Sequence, residues 1–429
     1  MRYLQKVTFL LTLVCFSILS HAQKNKVNLV EDVPSQGVLN AIKRAYQLTD
    51  VCFTPLVGFV ANPNKEYHAG EECQGMVYSS VKETCQFVGL DVSLHTFMTA
   101  LHNPRSVMYT ENVSQPPYHG HNCGAYYGTV CSAFVAYALG MNIYEKTYDY
   151  PESCFFELVE DQSSKGIQLG DVINSGGHVQ LVTSIKRDSE TGKAVELEIC
   201  EGVQSGCRRL TLTGENLDKL ITKKKRKLYR YKYIEGVMYE PQADFVALEG
   251  ERFIPFQYND DICTSRGDKS CYIVDDSVVL NLFGQCNTIE IFRDTTLYLT
   301  VHINEDQDVT LYDLPYGDYR ARTIRGSKKS DYVYWKVIDT HVKLDTDGMK
   351  VQFSSANAIP VCIEFATLAG GRPTSGHFEL TQEDLHRGWA DVSSYMSQGE
   401  KAKARFVKVH FACDYGRVVN RPIKWKNQQ

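Results

Sequence analysis

The chain has 429 residues, of which 43% are hydrophobic and 23% are charged, and its formal net charge is −5. This length allows about two to four domains, and the composition is ordinary for a soluble globular protein. The mild acidity argues against nucleic acid as the main partner.

The N-terminus has the pattern of a secretory signal peptide. Arg2 and Lys6 precede the apolar run 9–19, which is too short to span a bilayer. Small residues then flank a cleavage point after Ala22. We therefore expect residues 1–22 to be a signal peptide and the mature protein to be secreted, in a bacterial periplasm or at a cell surface. No later segment predicts a membrane span.

The cysteine count agrees with an oxidising compartment but leaves one thiol over. Of 14 cysteines, Cys15 lies in the predicted signal peptide, which leaves 13 in the mature chain. An odd number implies at least one unpaired thiol, although the sequence does not say which. Three near pairs could close local loops: Cys73/Cys85, Cys200/Cys207 and Cys263/Cys271.

The first half of the chain mixes helical and strand patterns. Apolar residues from Val38 to Leu48 have near-helical spacing after a possible cap at Ser35. Two more helices are predicted to start at Ser79 and Ser93, and the second should end before Pro104. From Gly166 onward the pattern changes to strands.

The second half, after a predicted linker at 235–242, reads as all-β. Alternation in 297–303 and 406–413, together with an Asp-Gly turn signal at 347–348, predicts antiparallel strands. Two sandwich modules of about 90–100 residues fit this span, and we place them at 243–345 and 346–429. Tyr319 follows a Pro-Gly turn, similar to the tyrosine corner of immunoglobulin-like sandwiches.

Cys131 is the candidate nucleophile. It stands between Gly128, which permits a tight backbone approach, and the apolar run 132–139, which predicts a helix that ends at Gly140. A thiol at the start of a helix meets the positive end of the helix dipole, which favours the reactive thiolate. A packed core thiol and half of a disulfide are the alternatives.

His178 is the candidate base. It is the next histidine after Cys131, it follows Gly176 and Gly177, and it opens an alternating strand. A hairpin centred near residue 190 would place residues 201–202 opposite it, so that Glu201 could accept a hydrogen bond from the imidazole. A satisfied core histidine and a surface glutamate are the alternatives.

Three motifs occur in order: Cys131-Ser132-Ala133-Phe134, Leu169-Gly170-Asp171 and Gly177-His178-Val179. Together they resemble the NlpC family of papain-like cell-wall peptidases, whose pattern is Cys-Ser-Gly-Phe, Pro-Gly-Asp and Gly-His-Val. The segment 75–80 is similar to the family's Gly-x-Pro-Tyr turn, which makes Tyr78 the match to a tyrosine near the nucleophile. The resemblance covers about residues 35–233.

The resemblance implies a papain-like α+β hydrolase domain at 23–234, followed by the two immunoglobulin-like sandwich modules. It implies hydrolysis of an amide in peptidoglycan stem peptides, often the bond between D-Glu and a diamino acid, without a cofactor. In that mechanism the Cys131 thiolate attacks the carbonyl, His178 transfers protons and Glu201 orients His178. Tyr78, Ser132 and Gly177 are the candidate substrate-binding residues.

The chain departs from the family pattern in two ways. About 50 residues separate Tyr78 from Cys131, where the family usually has far fewer, and Glu201 stands where His, Asn or Gln is usual. Two other functions therefore stay open. One is a cysteine peptidase acting on other peptides or isopeptides, and the other is a catalytically inert surface-binding or adhesion protein. The sequence leaves the oligomeric state open.

A metal site is the competing interpretation of one further motif. His119, His121 and Cys123 alternate, so an extended strand could direct all three at one ion. The segment is rich in Pro, Gly and Asn and shows no clear fourth ligand. We therefore predict no metal and read this segment as a loop near the mouth of the active site.

Overall fold

The computed structural model describes residues 28–62, 65–79, 87–90, 92–110, 128–222, 226–239, 245–249, 252–255, 262–264, 270–283, 286–304, 308–345, 349–366, 373–392 and 403–425. The predicted signal peptide, most of the helix predicted from Ser79 and the 119–123 motif lie outside these residues. Strand is much commoner than helix in the described part of the chain.

The first unit combines short helices with an antiparallel sheet. Its helices are α1 (Gln36–Asp50), α2 (Leu94–His102), α3 (Val107–Thr110), α4 (Cys131–Ala138) and α5 (Gly214–Thr222), with 3₁₀ turns at Tyr150–Glu152 and Ile234–Gly236. Its strands are β1 (Leu29–Glu31), β2 (Cys52–Phe53), β3 (Phe59–Asn62), β4 (Lys65–Tyr67), β5 (Cys73–Gln74), β6 (Phe156–Leu158), β7 (Val172–Asn174), β8 (Val179–Asp188), β9 (Ala194–Val203), β10 (Gly206–Thr213) and β11 (Lys227–Tyr231). The main sheet has the order β10-β9-β8-β7-β11-β6, and β1 pairs with β8.

The predicted cap at Ser35 is confirmed, and the helix predicted from Ser93 also begins with a serine cap. The Ser35 hydroxyl accepts a hydrogen bond from the Val38 N–H, and the Ser93 hydroxyl accepts one from the Thr96 N–H. Each bond satisfies a donor that the first helical turn would otherwise leave open. The helix from Ser93 ends at His102, before Pro104 as predicted.

Helix α4 forms the centre of the first unit. All eight of its residues are buried, and Phe134 and Val135 share one core with Val179 and Leu181 of β8. Such all-round burial is typical of a helix packed inside a domain. This packing brings the start of the helix, Cys131, close to the start of β8.

The motif at Leu169–Asp171 has a structural role. The Asp171 side chain is fully buried, accepts a hydrogen bond from the Gln168 N–H and pairs with Arg230 of β11 at 2.9 Å. Gly170 has a φ of +82°, which favours glycine. The motif therefore fixes the turn into β7 and ties it to β11.

Two β modules follow the two-stranded hairpin of β12 (Phe245–Glu249) and β13 (Arg252–Pro255). The first module has β14 (Ile262–Thr264), β15 (Cys271–Ile273), β16 (Val278–Leu282), β17 (Thr288–Arg293), β18 (Thr296–His302), β19 (Val309–Leu311), β20 (Gly317–Arg325), β21 (Lys328–Lys329) and β22 (Val333–Ile338). The second has β23 (Thr340–Leu344), β24 (Lys350–Ser355), β25 (Ile359–Ala366), β26 (Pro373–Glu379), α6 (Gln382–Arg387), β27 (Trp389–Asp391), β28 (Phe406–Cys413), β29 (Gly416–Val419) and β30 (Ile423–Lys424).

Each module is a sandwich of two sheets around an apolar core. In the first, the sheet β14-β16-β19 packs on the sheet β15-β22-β20-β17-β18, and in the second, β23-β24-β27 packs on β26-β25-β28-β29. The tyrosine corner is present, since the Tyr319 hydroxyl donates to the Pro315 carbonyl at 2.7 Å and its ring stacks on Trp335. The prediction of sandwich modules is confirmed at this level.

The division between the modules falls earlier than the predicted 345/346. Strand β23, at 340–344, pairs with β24 and lies in the sheet of the second module. Near Asp339, the buried side chains change from the apolar core of the first module to that of the second. An alternating pattern alone cannot show this, because it does not say which sheet a strand joins.

Strand β18 is an edge of its sheet. Leu297, Tyr298 and Leu299 are all exposed, although the alternating pattern places Leu297 and Leu299 on the opposite face from Tyr298. A terminal strand can leave both faces in solvent.

In the described part of the chain, no helix is both long and apolar enough to cross a membrane.

Candidate active site

Cys131 is the first residue of α4 and carries a free, buried thiol. The preceding residue, Val130, is extended, with φ −118° and ψ 167°. The change from extended to helical backbone therefore occurs at the cysteine. The first N–H groups of a helix have no partner within the helix, so this end of α4 offers donors beside the sulfur.

Gly128 lets two backbone segments meet just before the nucleophile. The Thr129 N–H donates to the Val77 carbonyl at 2.9 Å, and the Ser79 N–H donates to the Thr129 carbonyl at 3.0 Å. A Cβ on Gly128 would lie only 2.3 Å from the Cβ of Ser79. The glycine is thus required for the contact that places Tyr78 beside Cys131.

His178 enters the site from a tight turn before β8. The Ser175 N–H donates to the His178 carbonyl at 2.9 Å, and Gly176 has a φ of +80°. The His178 and Cys131 side chains lie close enough to interact. Because Nε2 of His178 is 2.7 Å from Oε2 of Glu201, Nδ1 is the ring nitrogen that remains for the thiol.

These contacts determine the charge of His178. Burial opposes the charged imidazole, but the interactions with Cys131 and Glu201 outweigh burial and raise the pKa of His178 to about 9. The ring is therefore an imidazolium at neutral pH in this environment.

The predicted hydrogen bond between Glu201 and His178 is present. The Glu201 side chain, in β9, is only 3% exposed. Burial favours its neutral form, yet hydrogen bonds from His178, Gln180 and Arg208 lower the pKa of Glu201 to about 2. Glu201 is thus a buried anion that fixes the imidazole ring.

The three candidate substrate-binding residues lie in different surroundings. Burial, and then the proximity of Cys131, raises the pKa of Tyr78 to about 12, so its hydroxyl stays protonated near the sulfur. Gly177 is exposed, and a Cβ there would have nothing within 4 Å. Ser132 is buried in α4, because the second residue of this helix turns into the core instead of the cleft.

Sequence reasoning missed three side chains at the site. Gln180 donates to Oε2 of Glu201 at 2.7 Å, and Arg208 contacts Oε1 of Glu201 at 2.8–2.9 Å. Tyr150 is buried near Cys131, and burial raises the pKa of Tyr150. The strand period of two would have found Gln180, which is two residues from His178. The register of the β9–β10 hairpin would have found Arg208, which is opposite Glu201.

The site has the parts needed for nucleophilic catalysis: a thiol, a base beside it and a carboxylate that orients the base. Among the described residues, no group of three or more His, Cys, Asp or Glu side chains could hold a metal ion. The alternating motif of His119, His121 and Cys123 lies outside those residues.

One suggested cysteine pair, Cys200/Cys207, is not formed. Cys200 and Cys207 are separate buried thiols, because Cys200 is opposite Arg209 and Cys207 is opposite Gly202 in the hairpin. Cys271 lies beside Cys413, with the two sulfurs 2.7 Å apart. The other suggested partners, Cys85 and the Cys263 side chain, lie outside the described part.

No protein-family model and no curated protein matches the chain. Solved structures with similarity include the human OSCAR ligand-binding domain, at 12% identity over 39% of this chain and 100% of that one, with a TM-score of 0.18. Murine CEACAM1b is 9% identical over 39% of this chain and 98% of its own, with a TM-score of 0.16. The Clostridium thermocellum CbhA fibronectin(III)-like modules are 12% identical over 37% of this chain and 90% of their own, with a TM-score of 0.17. TM-scores of this size carry no argument about fold or function.

Proposed function

We propose that this protein is a secreted cysteine hydrolase that cleaves amide bonds in peptidoglycan stem peptides. In this proposal the first unit is a papain-like domain of the NlpC type, and the two sandwiches are immunoglobulin-like modules. The observation that carries it is the array Cys131–His178–Glu201, in which the thiol lies close enough to the imidazole to interact with it and a hydrogen bond joins the imidazole to a buried carboxylate.

The proposed reaction proceeds through an acyl-enzyme. The Cys131 thiolate attacks the amide carbon, and the C–N bond breaks as the His178 imidazolium gives its proton to the departing amine. His178 then takes a proton from water as its oxygen attacks the thioester. The C–S bond breaks, which releases the carboxylic acid and restores the Cys131 thiolate and the His178 imidazolium. The Cys131 N–H at the start of α4 stabilises the oxyanion.

Tyr78 and Gly177 serve the substrate in this scheme. The Tyr78 hydroxyl is neutral up to about pH 12 and so can donate a hydrogen bond close to the sulfur. The open space at Gly177 lets a peptide backbone pass next to His178. Ser132, at 7% exposed, is as buried as Cys131 at 8%, and its role in substrate binding stays a prediction.

A digest tests the proposal. The mature protein, Cys131→Ala and Cys154→Ala are incubated with purified peptidoglycan and with free stem peptides, and the products are identified by mass spectrometry. Cys154 is an exposed free thiol and is the matched control. We expect cleavage by the wild type and Cys154→Ala, none by Cys131→Ala, and a rate about 10²–10⁴-fold lower for His178→Ala.

Three results would argue against all or part of the proposal. Cleavage by Cys131→Ala would exclude this residue as the nucleophile. If neither substrate is cleaved although iodoacetamide labels Cys131 rapidly, the substrate is another peptide or isopeptide. If Cys131 is also unreactive, the alternative of a surface-binding protein is favoured.

A further inference from the structure

The carboxylate of Glu201 accepts hydrogen bonds on both oxygens. Oε2 accepts from His178 Nε2 and Gln180 Nε2, each at 2.7 Å, Oε1 accepts from Arg208 Nε at 2.9 Å, and Arg208 Nη2 lies 2.8 Å from the same oxygen in the ion pair. A carboxylate has about four lone-pair positions. Hydrogen bonds occupy three of them, and the ion pair with Arg208 further restrains the carboxylate beside the imidazole.

The hairpin of β9 and β10 places Arg208 at this position. Arg208 is directly opposite Glu201 in the register, shortly after the turn at Gln204–Ser205. Its side chain is 48% exposed whereas that of Glu201 is 3% exposed, so the guanidinium lies on the solvent side of the carboxylate. The fork of an arginine holds a carboxylate in one orientation, which a lysine cannot do.

Other titratable groups also face this pair. Cys131 approaches His178 from α4, and Cys207 of β10 interacts electrostatically with Glu201. Arg226, just before β11, also interacts electrostatically with Glu201. Tyr78 and Tyr150 face Cys131. Apart from His178 itself, Arg208 is the cation among the described residues for which the structure gives a hydrogen bond to the carboxylate.

We propose that Arg208 is a positioning residue, which holds Glu201 against His178 and limits how strongly the carboxylate stabilises the imidazolium. This inference rests on the proposed catalytic role of Cys131 and His178. Arg208 acts through Glu201 and transfers no proton itself. The Arg208 guanidinium and the His178 imidazolium both interact with the Glu201 carboxylate. Each of these two cations therefore weakens the attraction between Glu201 and the other cation.

The opposite effects of the charge and of the hydrogen-bonding fork make the inference testable. Arg208→Met removes the competing positive charge. The attraction of Glu201 for the His178 imidazolium is then no longer weakened, so the pKa of the imidazole rises. Arg208→Lys keeps the charge, so the pKa stays near that of the wild type while the orientation of Glu201 is loosened. A residue with only a structural role would not change the protonation of His178 in this charge-dependent way.

The experiment uses the full-length protein and the variants Arg208→Met, Arg208→Lys and Arg226→Met. The pKa of His178 is measured by NMR with ¹³C-labelled histidine, assigned with His178→Gln. The rate of Cys131 alkylation by iodoacetamide is recorded against pH, and its upper inflection marks loss of the imidazolium proton. Circular dichroism verifies folding, and Arg208→Gln is the second neutral variant if Arg208→Met does not fold.

We expect Arg208→Met to shift the His178 titration and the upper inflection upward by about one pH unit, and Arg208→Lys to shift both by less than a third of that. Arg226→Met should cause a smaller shift than Arg208→Met. The inference is overturned if the neutral Arg208 variants leave the His178 titration unchanged, or if Arg226→Met moves it equally.

The same data separate this inference from the proposed function. A shift of the His178 titration with no digestion of stem peptides supports the role of Arg208 and removes only the substrate assignment. Digestion that depends on Cys131, combined with an unchanged titration in the Arg208 variants, supports the hydrolase and removes the role of Arg208.

Discussion

Glu201 remains an anion inside the protein because hydrogen-bond donors compensate for its burial. Transfer of an unpaired carboxylate to such a site would cost several kcal/mol and would favour its neutral form. Here the bonds from His178, Gln180 and Arg208 reverse the effect and lower the pKa of Glu201 to about 2. The His178 imidazolium is the other half of the same interaction, so the charges of the two residues are coupled.

The first prediction concerns stability against pH. The pKa of His178 is about 9 in the folded chain, against 6.5 for an ordinary histidine. Its charged form therefore stabilises the fold fully below about pH 6.5, and this contribution is lost as the pH rises through 9. Below pH 6.5, His178→Gln should be less stable than the wild type by on the order of 3 kcal/mol.

Urea unfolding of both proteins at pH 6, 7.5 and 9.5 measures this difference. The gap in unfolding free energy should shrink steadily with rising pH. His68→Gln is the control, because this side chain is exposed and its nearest carboxylate is 3.9 Å away. A gap that is the same at all three pH values would contradict a charged His178.

The second prediction concerns Tyr78. Tyr78→Phe keeps the ring and removes the hydroxyl that lies near Cys131. The rate of stem-peptide hydrolysis should fall about 10- to 100-fold, because a donor to the polarised carbonyl is lost. Alkylation of Cys131 by iodoacetamide should change by less than about twofold, since the hydroxyl does not activate the sulfur in this scheme. Equal hydrolysis by the variant would exclude this role.

At the scale of elements, the nucleophile depends on how closely one loop approaches another. Helix α4 is held by its buried apolar residues, but the position of its first residue depends on the bridge between Thr129 and Tyr78. That bridge needs Gly128, because a Cβ there would also lie 2.9 Å from the Val77 carbonyl oxygen. A backbone atom cannot give way as a flexible side chain can.

The third prediction follows from this contact. Gly128→Ala should lower the unfolding free energy by about 1–3 kcal/mol and slow alkylation of Cys131, because the clash displaces the start of α4. Gly177→Ala is the matched control, since it has open space around the new methyl group and should leave stability unchanged. Urea unfolding and alkylation kinetics measure both effects. If the Gly128→Ala variant is as stable and as reactive as the wild type, the bridge is not required.

At the scale of the whole molecule, the second sandwich holds the far end of helix α4. The Arg417 guanidinium donates to the Asn142 carbonyl at 2.6 Å, and the Asn142 side chain donates to Glu379 at 3.0 Å. Asn142 lies four residues beyond the last residue of α4, so these contacts are at the end opposite to Cys131. The first sandwich is tied on separately, through the ion pair of Arg105 with Asp308 at 2.6 Å.

The fourth prediction concerns Cys271 and Cys413, which are 142 residues apart in sequence. Because their sulfurs are 2.7 Å apart, oxidation by a disulfide-exchange reagent should remove two electrons and two protons and join them. Closing a loop of this length stabilises the fold by about 4–5 kcal/mol in the chain-entropy estimate. Peptide mapping without reductant detects the bond, and thermal unfolding measures its effect.

Two variants check the assignment of this disulfide. Cys271→Ser should abolish the cross-link and the oxidant-dependent rise in melting temperature. Cys154→Ser, at an exposed free thiol, should preserve both. Mapping that finds Cys413 bonded to a different cysteine would contradict the pairing.

The residue patterns along the chain determined the local parts of this protein. The spacing of apolar residues located α1, and the serine caps marked the starts of α1 and α2. The glycine turn before an apolar run located Cys131 at a helix start, and hairpin arithmetic placed Glu201 within reach of His178. These inferences hold because helix and strand periods, caps and tight turns depend on residues close together in sequence.

Only the tertiary structure decided the features that depend on distant segments. The burial of Ser132, the exposure of Leu297 and Leu299, and the contact of Cys271 with Cys413 each depend on which elements pack together. The orientation of the Arg208 side chain toward Glu201 depends on hairpin twist and burial as well as register. The physical reason is that periodicity identifies the face of an element, whereas long-range packing decides what that face meets.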